Sequence, residues 1–184
     1  MPDRERSRPM PGEPAGRALL ERILRVDLAG EYGASRIYQG QLAVLGDSAS
    51  GDAIREMAES ENEHLAWFEQ EVVARGVRPT VLQPFWHVAG YALGATTAMM
   101  GPKAAMACTV AVEEAIDEHY QAQEAALGET EPELKARIEQ FHADELRHRD
   151  TALAHDAEHT PGFRAMKAAI KTGCRAAIWL AERV

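Results

Sequence analysis

The sequence predicts an all-α fold: a four-helix bundle made of two repeated helical hairpins, plus an apolar helix and a C-terminal amphipathic helix. Three observations predict it. Apolar residues recur at three- and four-residue spacings from about residue 17 onward. No run of alternating β-branched residues occurs. One stretch of the first half recurs, offset for offset, in the second.

The elements follow in order. Residues 1–16 are rich in Pro and Arg and contain no apolar stretch, so they read as a disordered lead rather than a secretory or mitochondrial address. Residues 17–184 read as one domain, long enough to bury a core without disulfides. Leu19, Leu20, Ile23, Leu24, Leu28, Ile37 and Leu42 set the first helix. Breaks fall at 46–48, 76–79, 101–102, 128–132 and 160–162, where Gly and Pro mark helix ends and starts. The predicted helices span about 17–46, 50–76, 82–100, 103–127, 132–158 and 161–183.

Composition excludes some functions. The net charge of −9 argues against a nucleic-acid binder, whose affinity rests on basic phosphate contacts. The two cysteines, Cys108 and Cys174, do not make a disulfide framework and suit a reducing compartment. Between Arg78 and Lys103 lie 24 residues without Asp, Glu, Lys or Arg. Pro84, His87 and several glycines interrupt them, which favours a buried or membrane-surface helix over a span. The last segment carries Lys167, Lys171 and Arg175 four apart on one face and Met166, Ile170, Cys174 and Ile178 on another. That pattern suits either an anionic membrane surface or a packing helix with a solvated face.

The repeat places the chemistry. Glu31 and Glu113 are each followed by six residues and then Tyr-Gln-x-Gln, at Tyr38 to Gln41 and Tyr120 to Gln123. Each half then carries Glu-x-x-His: Glu61 with His64, and Glu145 with His148, 30 and 32 residues beyond the lone Glu. An i, i+3 pair shares one helix face. Going up one helix and back down the next returns the chain to the same level. Glu31, Glu61, His64, Glu113, Glu145 and His148 thus form the expected set: one Glu from each of two helices and Glu-x-x-His from the other two, the ligands of di-metal carboxylate bundles. Carboxylates bridge and neutralise hard cations, and imidazoles cap them. Glu139 and His142 also fit Glu-x-x-His, but face away from the Glu145 pair. Glu114 competes with Glu113; the repeat selects Glu113.

The same residues carry a resemblance. Residues 25–46, 76–95, 106–120 and 144–158 are similar to the demethoxyubiquinone hydroxylase family of ubiquinone biosynthesis. The resemblance implies a membrane-associated, ferritin-like monooxygenase that uses two iron ions and O2 to hydroxylate the ring of a polyprenylated benzoquinol. It places the family's ligands on the six residues above and its His-Tyr pair on His119 and Tyr120. These two are the candidates for a further catalytic part: relaying a proton or electron, hydrogen-bonding near the site, or packing. Asp144 and Asp150 are candidates to orient a ligand imidazole. Phe85, Trp86, Tyr91, Leu93, Met99 and Met100 are candidates to line a prenyl route, with Gly90, Gly94, Ala95 and Ala98 leaving room.

Gly30 to Gly33 follows no strand and is no dinucleotide fingerprint, so electrons come from an external reductant, NADH or a reductase, or from the quinol itself. The expected partners are the quinol, the membrane surface and a lipid-binding protein of the same pathway. The expected location is peripheral, on the cytoplasmic face of a bacterial inner membrane. Two rival functions use the same residues: a ferroxidase, which needs no uncharged stretch, and a non-catalytic prenyl-lipid-binding module, which needs no intact ligands.

Overall fold

The computed structural model describes residues 16–184; the predicted disordered lead lies outside them, except Gly16. Six α-helices follow in order: α1 Arg17–Leu45, α2 Gly51–Arg75, α3 Gln83–Met99, α4 Pro102–Leu127, α5 Pro132–Ala154 and α6 Phe163–Ala181. No strand occurs among the described residues. Pro84, Pro102 and Pro132 each sit in a first turn, where a missing N–H costs nothing. Gly76 ends α2 in the left-handed conformation.

Helix α5 is shorter than predicted. It ends at Ala154, and a 3-10 turn, Ala157–His159, replaces its last residues. Neither Gly nor Pro announces this end. Asp156 turns the chain at φ 63, a conformation that Asp tolerates better than most residues. Its carboxylate pairs with Lys103 at 3.0 Å, and the fold-back buries Ala157 in the core.

Helices α1, α2, α4 and α5 form the bundle, with α1 against α2 and α4 against α5 as the two hairpins. Helix α3 lies on α1 and helix α6 on α4. The duplication therefore extends to a third helix in each half. The core has one cluster at each end of the bundle: Leu24, Phe68, Leu134 and Ile138 at one, Ile54, Met106 and Ala152 at the other.

The α1/α3 crossing corrects one expectation. Gly90 and Gly94 do not leave room for a ligand. A Cβ at Gly94 would lie 1.9 Å from the Ile37 carbonyl oxygen, and one at Gly90 2.8 Å from that of Gly33. These glycines let two backbones touch. Ala98 is likewise packed into the core. Of the proposed lining residues, Phe85, Tyr91, Met99 and Met100 face outward, and Trp86 and Leu93 turn inward. No helix among the described residues is long and apolar enough to cross a membrane.

The basic stripe of α6 pairs with α4: Lys167 and Lys171 turn inward, and Arg175 reaches across from an exposed position. Lys167 and Lys171 each reach Glu114 at 2.8 Å, and Lys171 and Arg175 reach Glu118 at 3.1 and 2.7 Å. This ladder pairs the three residues of the stripe with acids of the same chain; Arg164 stays exposed outside it. Solvent also meets the small apolar residues of α6 and Trp179 and Leu180. Cys108 and Cys174 are free thiols in the apolar seam between α4 and α6, pushed up by burial to about 12 and about 11.

Candidate metal centre

All six predicted ligand residues meet in the middle of the bundle, and all are buried. Glu31 comes from α1, Glu61 and His64 from α2, Glu113 from α4, Glu145 and His148 from α5. Their ligand atoms form two overlapping groups, each within 4.8 Å. One holds Glu31, Glu61, His64 and Glu145; the other holds Glu61, Glu113, Glu145 and His148. Glu61 and Glu145 belong to both, the position of a carboxylate bridging two cations.

The donor atoms fit metal ions. His64 Nδ1 lies 3.0 Å from Glu145 Oε1, and His148 Nδ1 3.1 Å from Glu61 Oε1. These distances suit hydrogen bonds, but the angles do not, and both nitrogens remain unpartnered. Directionality decides a hydrogen bond, so proximity alone does not make one here. Each of the six residues contributes a buried atom with no hydrogen-bond partner, including both oxygens of Glu61 and of Glu145. Orphaned buried polar atoms are costly, and such a concentration of them fits bound cations.

The electrostatics agree. Burial, with the Glu145 charge beside them, pushes Glu61 and Glu113 well above the usual carboxylate range, and burial raises Glu31 as well. Glu145 goes the other way: burial opposes its charge, but His148 and His64 outweigh it and hold its pKa down. Burial also disfavours both imidazolium ions, yet the facing carboxylates push His64 up to about 11 and His148 up to about 9. Without metal, protons balance the carboxylate charge; cations would take their place.

The surroundings brace the ligands. Tyr38 donates to Glu113 at 2.9 Å, and Tyr120 donates to Glu31 at 2.5 Å. Each repeat's tyrosine therefore holds the lone Glu of the other repeat. Asp144 Oδ2 sits 3.1 Å from His64 Nε2, fixing that ring from across the bundle rather than serving its own helix's His148. Asp150 orients no imidazole; it is exposed and pairs with Arg149.

The other candidates are engaged elsewhere. His142, of the decoy Glu-x-x-His, sits between Glu124 at 2.8 Å and Asp117 at 2.6 Å, while Glu139 pairs with Lys135. Glu114 belongs to the α6 ladder. His87 accepts or donates to Tyr32 at 2.6 Å. His119 turns toward Asp27, 3.4 Å away, and Gln123, 2.7 Å away. Sequence reasoning missed Asp27. No sequence signal marked it: Asp27 stands two residues from Arg25 and one turn before Glu31, and reads as an ordinary charged position.

A four-helix bundle with a buried carboxylate–histidine centre built from two Glu and two Glu-x-x-His helices defines the ferritin-like class of helical metal proteins. Within that class, residues 18–181 match the model of the family described as ubiquinone biosynthesis protein COQ7, and the chain belongs to that family. It is 55% identical over 176 residues to the 3-demethoxyubiquinol 3-hydroxylase of Rhodospirillum rubrum, covering 95% of this chain and 83% of that one. It is 53% identical over 171 residues to the mitochondrial NADPH-dependent 3-demethoxyubiquinone 3-hydroxylase of Mus musculus, covering 91% and 79%. It is 39% identical over 184 residues to the mitochondrial 5-demethoxyubiquinone hydroxylase of Saccharomyces cerevisiae, covering 91% and 79%.

Proposed function

We propose that this chain is a membrane-associated monooxygenase that hydroxylates the ring of a demethoxylated polyprenyl benzoquinol at a di-iron centre. The convergence of six buried ligand-type residues with unpartnered donor atoms carries the reading. The names of the relatives supply the substrate class.

Glu31 and His64 would hold one iron, Glu113 and His148 the other, and Glu61 and Glu145 would bridge. When bound, the iron pair supplies O2 activation. The remaining work falls to the chain. Tyr38 and Tyr120 fix the two terminal carboxylates, and the Tyr120 hydroxyl, its oxygen 2.5 Å from Glu31 Oε1, holds a proton beside the site. Asp144 fixes the His64 ring. The surrounding apolar core excludes water, so protons and electrons must arrive by defined routes. Inserting one oxygen atom into a ring C–H bond and releasing the other as water consumes an electron pair and a matching pair of protons. The electrons come from outside the chain, from a reduced nicotinamide or a reductase; the mouse relative is named as NADPH-dependent.

The quinol approaches over the α1/α4 face. Ile37, Val112 and Ile116 form its floor, Leu93 of α3 and Ile170 of α6 its walls. Helices α3 and α6 have no close backbone approach to each other, so they can part there without breaking backbone packing between them. The uncharged outer face of α3, with Phe85, Val88, Met99 and Met100 exposed, is the surface that rests on the bilayer. The enzyme then works peripherally, on the cytoplasmic side of a bacterial inner membrane, and a lipid-binding partner can hand over the quinol.

The test is anaerobic loading with Fe2+, addition of a demethoxylated quinol and then 18O2, with the quinones read by mass spectrometry. A product carrying one labelled oxygen is expected. Iron oxidation with the quinol unchanged would favour the ferroxidase reading.

A further inference from the structure

The duplication provides an internal comparison. Aligning Glu31 with Glu113 aligns Tyr38 with Tyr120, Gln41 with Gln123, Asp27 with Thr109, and Ile37 with His119. The tyrosines and glutamines keep equivalent contacts. Gln41 donates to Thr109 Oγ1 at 3.4 Å and to the Ala105 carbonyl at 3.1 Å. Gln123 donates to Asp27 Oδ1 at 2.6 Å. The other two positions have diverged. Around Gln41 the two positions are Thr109 and Ile37, neutral and buried. Around Gln123 they are Asp27 and His119.

That divergence is expensive. The Asp27 side chain is 0% exposed and its Oδ2 has no partner. A buried, incompletely paired carboxylate is destabilising, and the neutral Thr109 at the equivalent place in the other repeat shows that the fold does not require one. His119 is 17% exposed. It opens on a pocket of about 70 Å³ bordered by Arg22, Gln123 and Glu182, enough for a few water molecules. Arg22 and Glu182 face each other there at 3.9 Å. Tyr120 adjoins His119 on α4, and Glu31 lies one turn beyond Asp27 on α1.

The hydrogen bonds permit two proton arrangements. The Gln123 side-chain nitrogen lies 2.6 Å from Asp27 Oδ1 and 2.7 Å from His119 Nε2, and Gln123 Oε1 is buried without a partner. With Asp27 charged, the amide donates to both Asp27 and a His119 protonated on Nδ1. With the amide turned over, its oxygen accepts from a protonated Asp27 and from His119 Nε2–H. The two arrangements differ by one proton on Asp27. Burial favours the protonated acid and raises it, against the bonds from His119 and Gln123.

We propose that Asp27, Gln123 and His119 form a proton-loading port on the Glu31 side of the metal centre. With the neutral imidazole of His119 protonated on Nε2, Nδ1 takes a proton from hydronium in the pocket, Nε2–H gives one to Asp27 Oδ1 across 3.4 Å, and the ring is left neutral with its proton on Nδ1, to be reset by a change of tautomer. One proton moves from solvent to Asp27 and no electron moves. From there it is available to the Tyr120–Glu31 pair. The port rests on the hydroxylation reading, which consumes protons in a sealed site.

The test uses the full chain and its variants Asp27→Asn, His119→Gln and His119→Ala. In the metal-free protein, infrared difference spectra across an acid titration should show a protonated-carboxyl band that Asp27→Asn lacks. In the iron-loaded protein, Asp27→Asn and His119→Gln should keep wild-type iron content while quinol turnover falls roughly 100-fold. Added imidazole should restore turnover to His119→Ala, which a purely structural role would not allow. Wild-type turnover in both Asp27→Asn and His119→Gln, or no rescue by imidazole, would overturn the port. Should wild type hold iron but not hydroxylate the quinol, the functional reading fails and the infrared band decides: its presence supports the port and its absence overturns it.

Discussion

Glu113 carries two opposing demands. Metal binding needs it charged, while folding would have it neutral, since it is buried beside Glu145 and pushed well above the usual carboxylate range. Glu113→Gln separates the two. The Tyr38 hydroxyl can still donate to the side-chain oxygen at that position, because an amide keeps the shape and the acceptor of the carboxylate. Metal-free Glu113→Gln should melt no lower than metal-free wild type. Fe2+ should raise the wild-type melting temperature, as any ligand of the native state does, and raise the variant's far less. Quinol turnover should be lost. Calorimetry with and without Fe2+ checks the first two expectations. At this scale the ligand set was legible in the sequence because it is duplicated, whereas any one of its glutamates resembles a surface residue. Asp27 was not legible: its partner His119 is distant in sequence, and its own counterpart is a threonine.

Two elements are held by devices that periodicity does not reveal. Helix α3 is held on α1 by backbone contact through Gly90 and Gly94. Gly94→Ala places a methyl group against the Ile37 carbonyl and should cost about 1–3 kcal/mol, as overpacking does. The melting temperature should drop while the iron content of the folded protein stays the same, because α3 supplies no ligand. Helix α5 is tied to α4 by His142 between Asp117 and Glu124. Burial opposes the imidazolium, but the two carboxylates outweigh it and raise His142 above its ordinary 6.5. A raised histidine stabilises fully below the unfolded value and loses that contribution as pH rises through the folded one. Melting temperature should therefore decline with pH from about neutral upward in wild type, and His142→Gln should flatten that decline. The basic stripe of α6 was legible as a stripe. Its direction was not, because the acids that receive it, Glu114 and Glu118, lie on another helix. The early end of α5 depends on Asp156, a residue that helix signals do not mark.

The whole molecule presents an uncharged outer face on α3, continued by the small residues and Trp179 of α6. With Lys167, Lys171 and Arg175 already paired, membrane affinity should be hydrophobic rather than electrostatic. Binding to vesicles of neutral lipid should match binding to anionic vesicles within a few-fold and resist added salt. Phe85→Ser with Val88→Ser should weaken binding about tenfold or more, since each loses the transfer free energy of a large apolar side chain. Co-sedimentation measures both. Strong dependence on anionic lipid would return the basic residues of α6 to the membrane. The all-helical architecture was legible at this scale because two periodic halves repeat. The third helix of each half was read as an addition, since α3 and α6 differ in charge and only their packing shows them to be equivalent.

The proposed function requires the six residues to hold two iron ions. Anomalous diffraction at the iron edge, from crystals of the full chain loaded anaerobically with Fe2+, tests it most directly. Two peaks are expected: one among Glu31, Glu61, His64 and Glu145, the other among Glu61, Glu113, Glu145 and His148. A single peak, or iron held elsewhere, such as at His142 with Asp117 and Glu124, would contradict it.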